Sequence, residues 1–192
     1  MIKYSKSKWT LLVCSWLLIN YSTGMAQTEN WREDLIGPCT RDSLVQNWPE
    51  FQPGFSALSS KALTILRNYQ DSIHVKVFFG TWCDDSKREL PRFFEIIDAL
   101  ENPRLTYDLY GLDRSKQDEG GEAERYAIEY VPTFIFHKNG REIGRIVESP
   151  MVNLESDWAA IVQYFDRTGV PFTALLVLMQ TVVPLSLLAA MP

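Results

Sequence analysis

The chain reads as one α/β domain, a mixed central β-sheet flanked by helices. Three observations point there. Apolar runs of strand length alternate with segments of helical period between residues 57 and 168. A helix long enough for a parallel crossover separates the first two strands, whereas the last two are joined by Asn139-Gly140, a strong hairpin turn. Parallel and antiparallel pairs in one domain call for a mixed sheet whose faces are covered by helices.

The elements follow in order. Residues 27–56 read as irregular, punctuated by Pro38, Pro49, Pro53 and Gly54. Leu58, Ala62, Ile65, Leu66 and Tyr69 then share a helical face, with Ser59 and Ser60 near its start. Ile73–Phe79 is nearly continuous in apolar residues around Lys76, as a strand buried on both faces should be. Asp84–Leu100 reads as a helix with acids in its first turn, where the dipole favours them. Pro91 must kink it or end its first segment. Leu105–Leu112 is the next strand, and a polar loop over 114–121 leads to a shorter helix, Glu122–Tyr130, packing Ala123, Tyr126, Ala127 and Tyr130. Pro132–His137 and Glu142–Glu148 form the hairpin. Asn153 caps a last amphipathic helix that buries Leu154, Trp158, Ile161, Val162 and Phe165.

Both ends differ from this domain. Lys3, Lys6 and Lys8 precede the apolar run Trp9–Ile19, and Gly24-Met25-Ala26 offers small residues to a signal peptidase. Residues 1–26 therefore have the pattern of a cleaved secretory signal. Cleavage removes three lysines and no acid, taking the formal charge from −5 to −8. That balance argues against nucleic acid or anionic lipid as a partner. The expected location is the periplasm or cell envelope, an oxidising setting. Export also removes Cys14 and leaves Cys39 and Cys83. The tail, 169–192, carries no charge. Its apolar stretch 170–190 is long enough to span a bilayer. Pro171, Pro184, Gln180 and the lack of Lys or Arg beyond leave a packed or unstructured tail equally open. No spacing suggests a metal cage, and His74 and His137 read as surface or strand-end residues. No nucleotide or flavin motif is present, so no cofactor is expected.

The chemistry lies in Val75–Pro91, where a buried strand runs into Trp82-Cys83 and then a helix. Helix N–H groups favour a thiolate at such a junction, while the charges of Asp84 and Asp85 oppose it. Four features occur in order: Trp82-Cys83 after a hydrophobic strand, Pro91 eight residues beyond the cysteine, Val131-Pro132-Thr133 opening the hairpin, and the Asn139-Gly140 turn. Together they resemble the thioredoxin family over residues 57–168. The wording Gly80-Thr81-Trp82-Cys83-Asp84-Asp85-Ser86 is more loosely similar to an exported, Bacteroidetes-type group with a Trp-Cys-x-Asp-Ser site.

The resemblance implies the thioredoxin fold, Cys83 as nucleophile, a cis Pro132, and a client-binding edge made by Trp82, Val131 and Pro132. Two departures stand against it. Ser86 occupies the place of the second cysteine, and Val77 the place where many family members keep a buried acid. A thiolate at Cys83 can still form a mixed disulfide, but Ser86 cannot resolve it. Ser86 either stabilises the thiolate or packs the first turn. Cys39 is either the resolving thiol or a cysteine without a role.

The expected function is thiol–disulfide exchange with client proteins through a monothiol C-x-x-S site, completed by an external thiol or a redox partner protein. A non-catalytic binding or scaffold module of the envelope is the alternative. A peroxidase fits poorly, because Thr81 and Cys83 are too close for a Pro-x-x-x-Thr-x-x-Cys arrangement.

Overall fold

The central strand β2, Ile73–Phe79, sets the architecture: one face lies wholly in the main core, and on the other Phe78 is buried in a smaller cluster while His74 and Lys76 are half-buried. The structure, a computed structural model, describes residues 32–172. The signal-segment expectation for 1–26, and that for the apolar stretch beyond Phe172, lie outside the described residues. Among the described residues no helix is long and apolar enough to cross a membrane.

Five strands form one sheet in the order β1-β3-β2-β4-β5. They are β1 (Gly37–Cys39), β2, β3 (Leu105–Gly111), β4 (Thr133–Lys138) and β5 (Arg141–Val147). β2 runs parallel to β3, from Ile73 opposite Leu105 to Phe79 opposite Gly111. It runs antiparallel to β4, from Ile73 opposite Lys138 to Phe78 opposite Thr133. β5 pairs with β4 across the Asn139-Gly140 turn, where both residues have positive φ, 52° and 75°, as a two-residue hairpin turn of this hand requires.

The helices are α1 (Arg41–Asn47), α2 (Ser60–Arg67), α3 (Asp84–Leu100), α4 (Glu122–Arg125) and α5 (Leu154–Thr168). Alternation along β2 sends Val75, Val77 and Phe79 into the main core with Leu109, Phe134 and Phe136. There they meet Leu66 of α2, Leu90, Phe93 and Phe94 of α3, and Trp158, Ile161 and Val162 of α5. Phe78 faces the other side, in a smaller cluster with Leu112, Ala123, Ile128, Val131 and Ile135. The helix ends are locally encoded. Ser59 and Asn153 accept hydrogen bonds from Ala62 N–H and Ser156 N–H at the starts of α2 and α5. α3 runs through Pro91 as one helix, so the proline removes one hydrogen-bond donor without ending it.

Four readings need correction. The stretch 27–56 is not all irregular, since β1, α1 and a 3-10 turn at Pro49–Phe51 occupy it. A three-residue strand containing Gly37 and Pro38 has no period to detect, and its edge position tolerates the proline. α4 ends at Arg125, well before Tyr130. Ala127 takes φ 51°, Ala127 N–H bonds to Glu124 C=O and Ile128 N–H to Ala123 C=O, a Schellman stop made without glycine. Ile128 is buried instead of Ala127 and Tyr130. His137 is buried, and that burial holds its imidazole below the usual value, with the Glu142 carboxylate opposing.

β1 brings the N-terminal segment over the end of β3. A Cβ on Gly111 would lie 2.3 Å from the carbonyl oxygen of Leu35, so only glycine admits the crossing. Across the main core, fully buried Glu155 accepts from Ser59 N–H and from Arg92, at 2.8 Å each. Burial alone would raise its pKa, yet these donors outweigh it and hold the carboxyl below its ordinary 4.5.

Removing the guanidinium by Arg92→Ala strands a buried carboxylate and should cost about 3–5 kcal/mol in urea denaturation. Because the folded-state value of Glu155 is depressed, its contribution is complete above about pH 4.5 and fades as pH falls through the folded value. The urea midpoint should drop over that acid range, and Glu155→Gln should flatten the drop.

Candidate active site around Cys83

The site is built where β2 runs out. A Cβ on Gly80 would lie 2.6 Å from the Trp82 ring, so the indole lies directly on the glycine backbone. Trp82 Nε1 donates to the Leu112 carbonyl at 3.0 Å, just past the end of β3. The Arg114 guanidinium lies 5.6 Å from the ring centroid on this indole. Cys83 N–H donates to Gly80 C=O at 3.0 Å, which closes the turn.

Cys83 is the N-cap of α3, with φ −89° and ψ 125°, and its carbonyl accepts the first helical bond from Lys87 N–H. Its sulfur does not cap the helix. The thiol donates to the Val131 carbonyl at 3.2 Å, and the Val131–Pro132 peptide bond is cis. Pro132 C=O accepts from Glu148 N–H at 2.7 Å, and Thr133 Oγ1 donates to Tyr130 C=O at 2.6 Å. Cys83, Trp82, Val131 and Pro132 thus stand together, drawn from two distant stretches of chain.

Ser86 does not partner the sulfur. It is fully buried, and its Oγ accepts from Gly80 N–H at 3.2 Å. Of the two roles open to it, the structure supports packing of the first turn: a strand-end N–H with no sheet partner finds its acceptor there. Asp84 and Asp85 are first-turn helix residues bridged to Lys87 and Arg88. Val77, in place of a buried acid, is wholly enclosed in the core.

Cys39 and Cys83 are not brought together. Both are free thiols. Cys39 packs on the main core and is level with Leu109 and Val77, two strands across from β2. That lateral offset is about 10 Å, against roughly 4.4–6.8 Å between the Cα atoms of a disulfide. Cys83 belongs to the cluster on the opposite face and leans towards β4, on the far side of β2. Burial pushes the Cys39 thiol up to about 12. Among the described residues no group of three or more His, Cys, Asp or Glu side chains could hold a metal ion.

Sequence reasoning missed Gly80, Leu112 and Arg114 as parts of the site. Gly80 carried a usable signal, since glycine ending a strand marks close approach of another group. Leu112 acts through its backbone and leaves no trace in residue type.

The family model described as Thioredoxin matches residues 61–159, more than half of the chain. This chain belongs to the thioredoxin family. It is 32% identical over 83 residues to a thioredoxin of Geodia cydonium, covering 43% of this chain and 73% of that protein. To a thioredoxin of Malassezia sympodialis it is 32% identical over 94 residues, covering 49% and 83%. A solved structure of the germline-specific thioredoxin Deadhead of Drosophila melanogaster aligns at 20% identity and a TM-score of 0.37, covering 50% and 82%. Membership makes this a thioredoxin-family protein of the thiol–disulfide oxidoreductase type, a class acting on thiol or disulfide substrates.

Ser86→Ala would leave the buried Gly80 N–H unpaired and should cost about 1–3 kcal/mol in chemical denaturation. The rate of Cys83 alkylation should remain that of the parent protein, because the hydroxyl is not bonded to the sulfur.

Proposed function

We propose that this chain is an exported thioredoxin-family protein that forms mixed disulfides with client proteins through one thiol, Cys83. The observation that carries the reading is the position of that sulfur. Cys83 is the N-cap residue of α3 and its thiol lies against the Val131 carbonyl beside Pro132, while Ser86, where a second thiol would resolve an adduct, is buried and bonded to Gly80. The apolar surfaces of Tyr130 and Val147, 50% and 39% exposed, flank Pro132 and suit an extended client segment. The signal-like segment 1–26 supports export to the periplasm or envelope, and the apolar stretch 170–190 supports membrane association.

The chemistry is an exchange. Cys83 gives its proton to solvent, and the thiolate attacks one sulfur of a client disulfide. A Cys83–client S–S bond forms as the client's S–S bond breaks, and the client's other sulfur leaves as a thiolate. Serine cannot take the next step. An external thiol, or a thiol of a redox partner protein, attacks the mixed disulfide, becomes bonded to the client sulfur and releases Cys83 as thiolate.

The test uses the full-length protein carrying Cys14→Ser and Cys39→Ser and a peptide with one intramolecular disulfide, followed by mass spectrometry. The expected result is a one-to-one adduct through Cys83, discharged by added glutathione and absent in Cys83→Ser. Ser86→Cys should stop the adduct accumulating, because the new thiol resolves it. If the parent protein forms no adduct and Cys83→Ser binds the peptide unchanged, the chain is a non-catalytic binding module.

A further inference from the structure

Residues 34 and 35 lie outside the stretch matched to the family, yet they reach Thr81, the residue before Trp82, and Arg114, which lies on its ring. Leu35 N–H donates to Thr81 Oγ1 at 3.3 Å, and Thr81 is 4% exposed, so this hydroxyl has little access to water as an alternative partner. Asp34 pairs with Arg114 at 3.6 Å, and Arg114 in turn lies on the Trp82 ring. The segment is itself held down. Leu35 crosses Gly111 so closely that no side chain fits there, and two residues later β1 pairs with β3. Trp82 is thus fixed by the Gly80 backbone, by Arg114 and by its own bond to Leu112, with the N-terminal segment tied to the neighbours on either side.

We propose that Asp34 and Leu35 form a strap whose role is to position Trp82 as the wall of the client groove beside Cys83. Thr81 and Arg114 are the positioning residues through which it acts. This rests on the mixed-disulfide reading of Cys83 for its functional consequence and on the geometry alone for the placement of the ring. The strap reaches the indole and its neighbours, with no bond to the sulfur. Loosening it should therefore weaken encounters that use the groove and spare those that need only the sulfur. Thr81→Val removes the acceptor of Leu35 N–H, and Arg114→Ala removes the group over the ring. Thr81→Ser and Arg114→Lys keep the hydroxyl and the charge.

The experiment uses full-length protein with Cys14→Ser and Cys39→Ser and takes two readouts. The first is the rate of Cys83 attack on the disulfide peptide, set against its alkylation by iodoacetamide, which is too small to need the groove. Thr81→Val should slow attack on the peptide by roughly three- to tenfold, the scale of one lost hydrogen bond, and Arg114→Ala by roughly two- to fivefold, the scale of one exposed cation–π contact. Alkylation should stay unchanged, and the Ser and Lys variants should recover the peptide rate. The second readout is hydrogen exchange of the Trp82 indole N–H by NMR, with the core Trp158 indole as the reference. Exchange at Trp82 should quicken in the two disruptive variants while Trp158 holds.

Equal slowing of peptide and alkylation, or parallel loss of protection at Trp82 and Trp158, would reduce the strap to general stability and overturn the proposal. Unchanged Trp82 exchange would overturn it as well. A parent protein that never attacks the peptide, with Trp82 exchange still responding to the variants, would retain the strap and discard the mixed-disulfide reading.

Discussion

The position of β2 at the centre of the sheet, paired on both edges, governs this molecule. Its register and end point are set by its neighbours, with Val75, Val77 and Phe79 fully buried on one face and Phe78 on the other. His74 and Lys76 keep some access to solvent. Its pairing with β3 stops at Gly111 and with β4 at Thr133. The first carbonyl past one neighbour, Leu112, and the carbonyl two residues before the other, Val131, therefore flank the end of β2. Trp82 bonds to the former and Cys83 to the latter. The two site residues are placed by the sheet, and the loop between strand and helix needs only the four residues Gly80 to Cys83 to present them.

This explains which parts could be read from the sequence. β2 and α3 were legible to the residue because a nearly continuous apolar run is followed by glycine, a short turn and a first turn rich in acids. β1 was not, being three residues long and held in place by register with β3 instead of by a pattern of its own. α4 was read too long because its stop uses Ala127 where a glycine would have announced it. His137 shows the same limit, since alternation along β4 gives the face of a side chain and not what covers that face. At the site, Cys83, Trp82 and Pro132 were recognisable by motif. The partner of Ser86 was not, because a hydroxyl can serve a sulfur or a backbone N–H and residue type does not distinguish them.

Ser86 gives the site a property that a dithiol lacks. In a two-cysteine site the contacts of the second sulfur change whenever the disulfide opens or closes. Here the equivalent atom is an oxygen bonded to Gly80, deep in the first turn of α3. That bond is indifferent to the oxidation state of Cys83, so the strand end and helix start keep one geometry whether the sulfur is free or linked to another molecule. The scaffold is separated from the reaction it supports.

The burial of Cys39 has a consequence for how the protein meets an oxidising environment. A thiol pushed up to about 12 stays protonated at any ordinary pH and is a poor nucleophile there. Of the two thiols among the described residues, only Cys83 is then available, so residues 32–172 carry a single point of covalent attachment. Through these residues two copies can be joined, or one copy capped, but one point of attachment in 32–172 cannot string that domain into a covalent polymer.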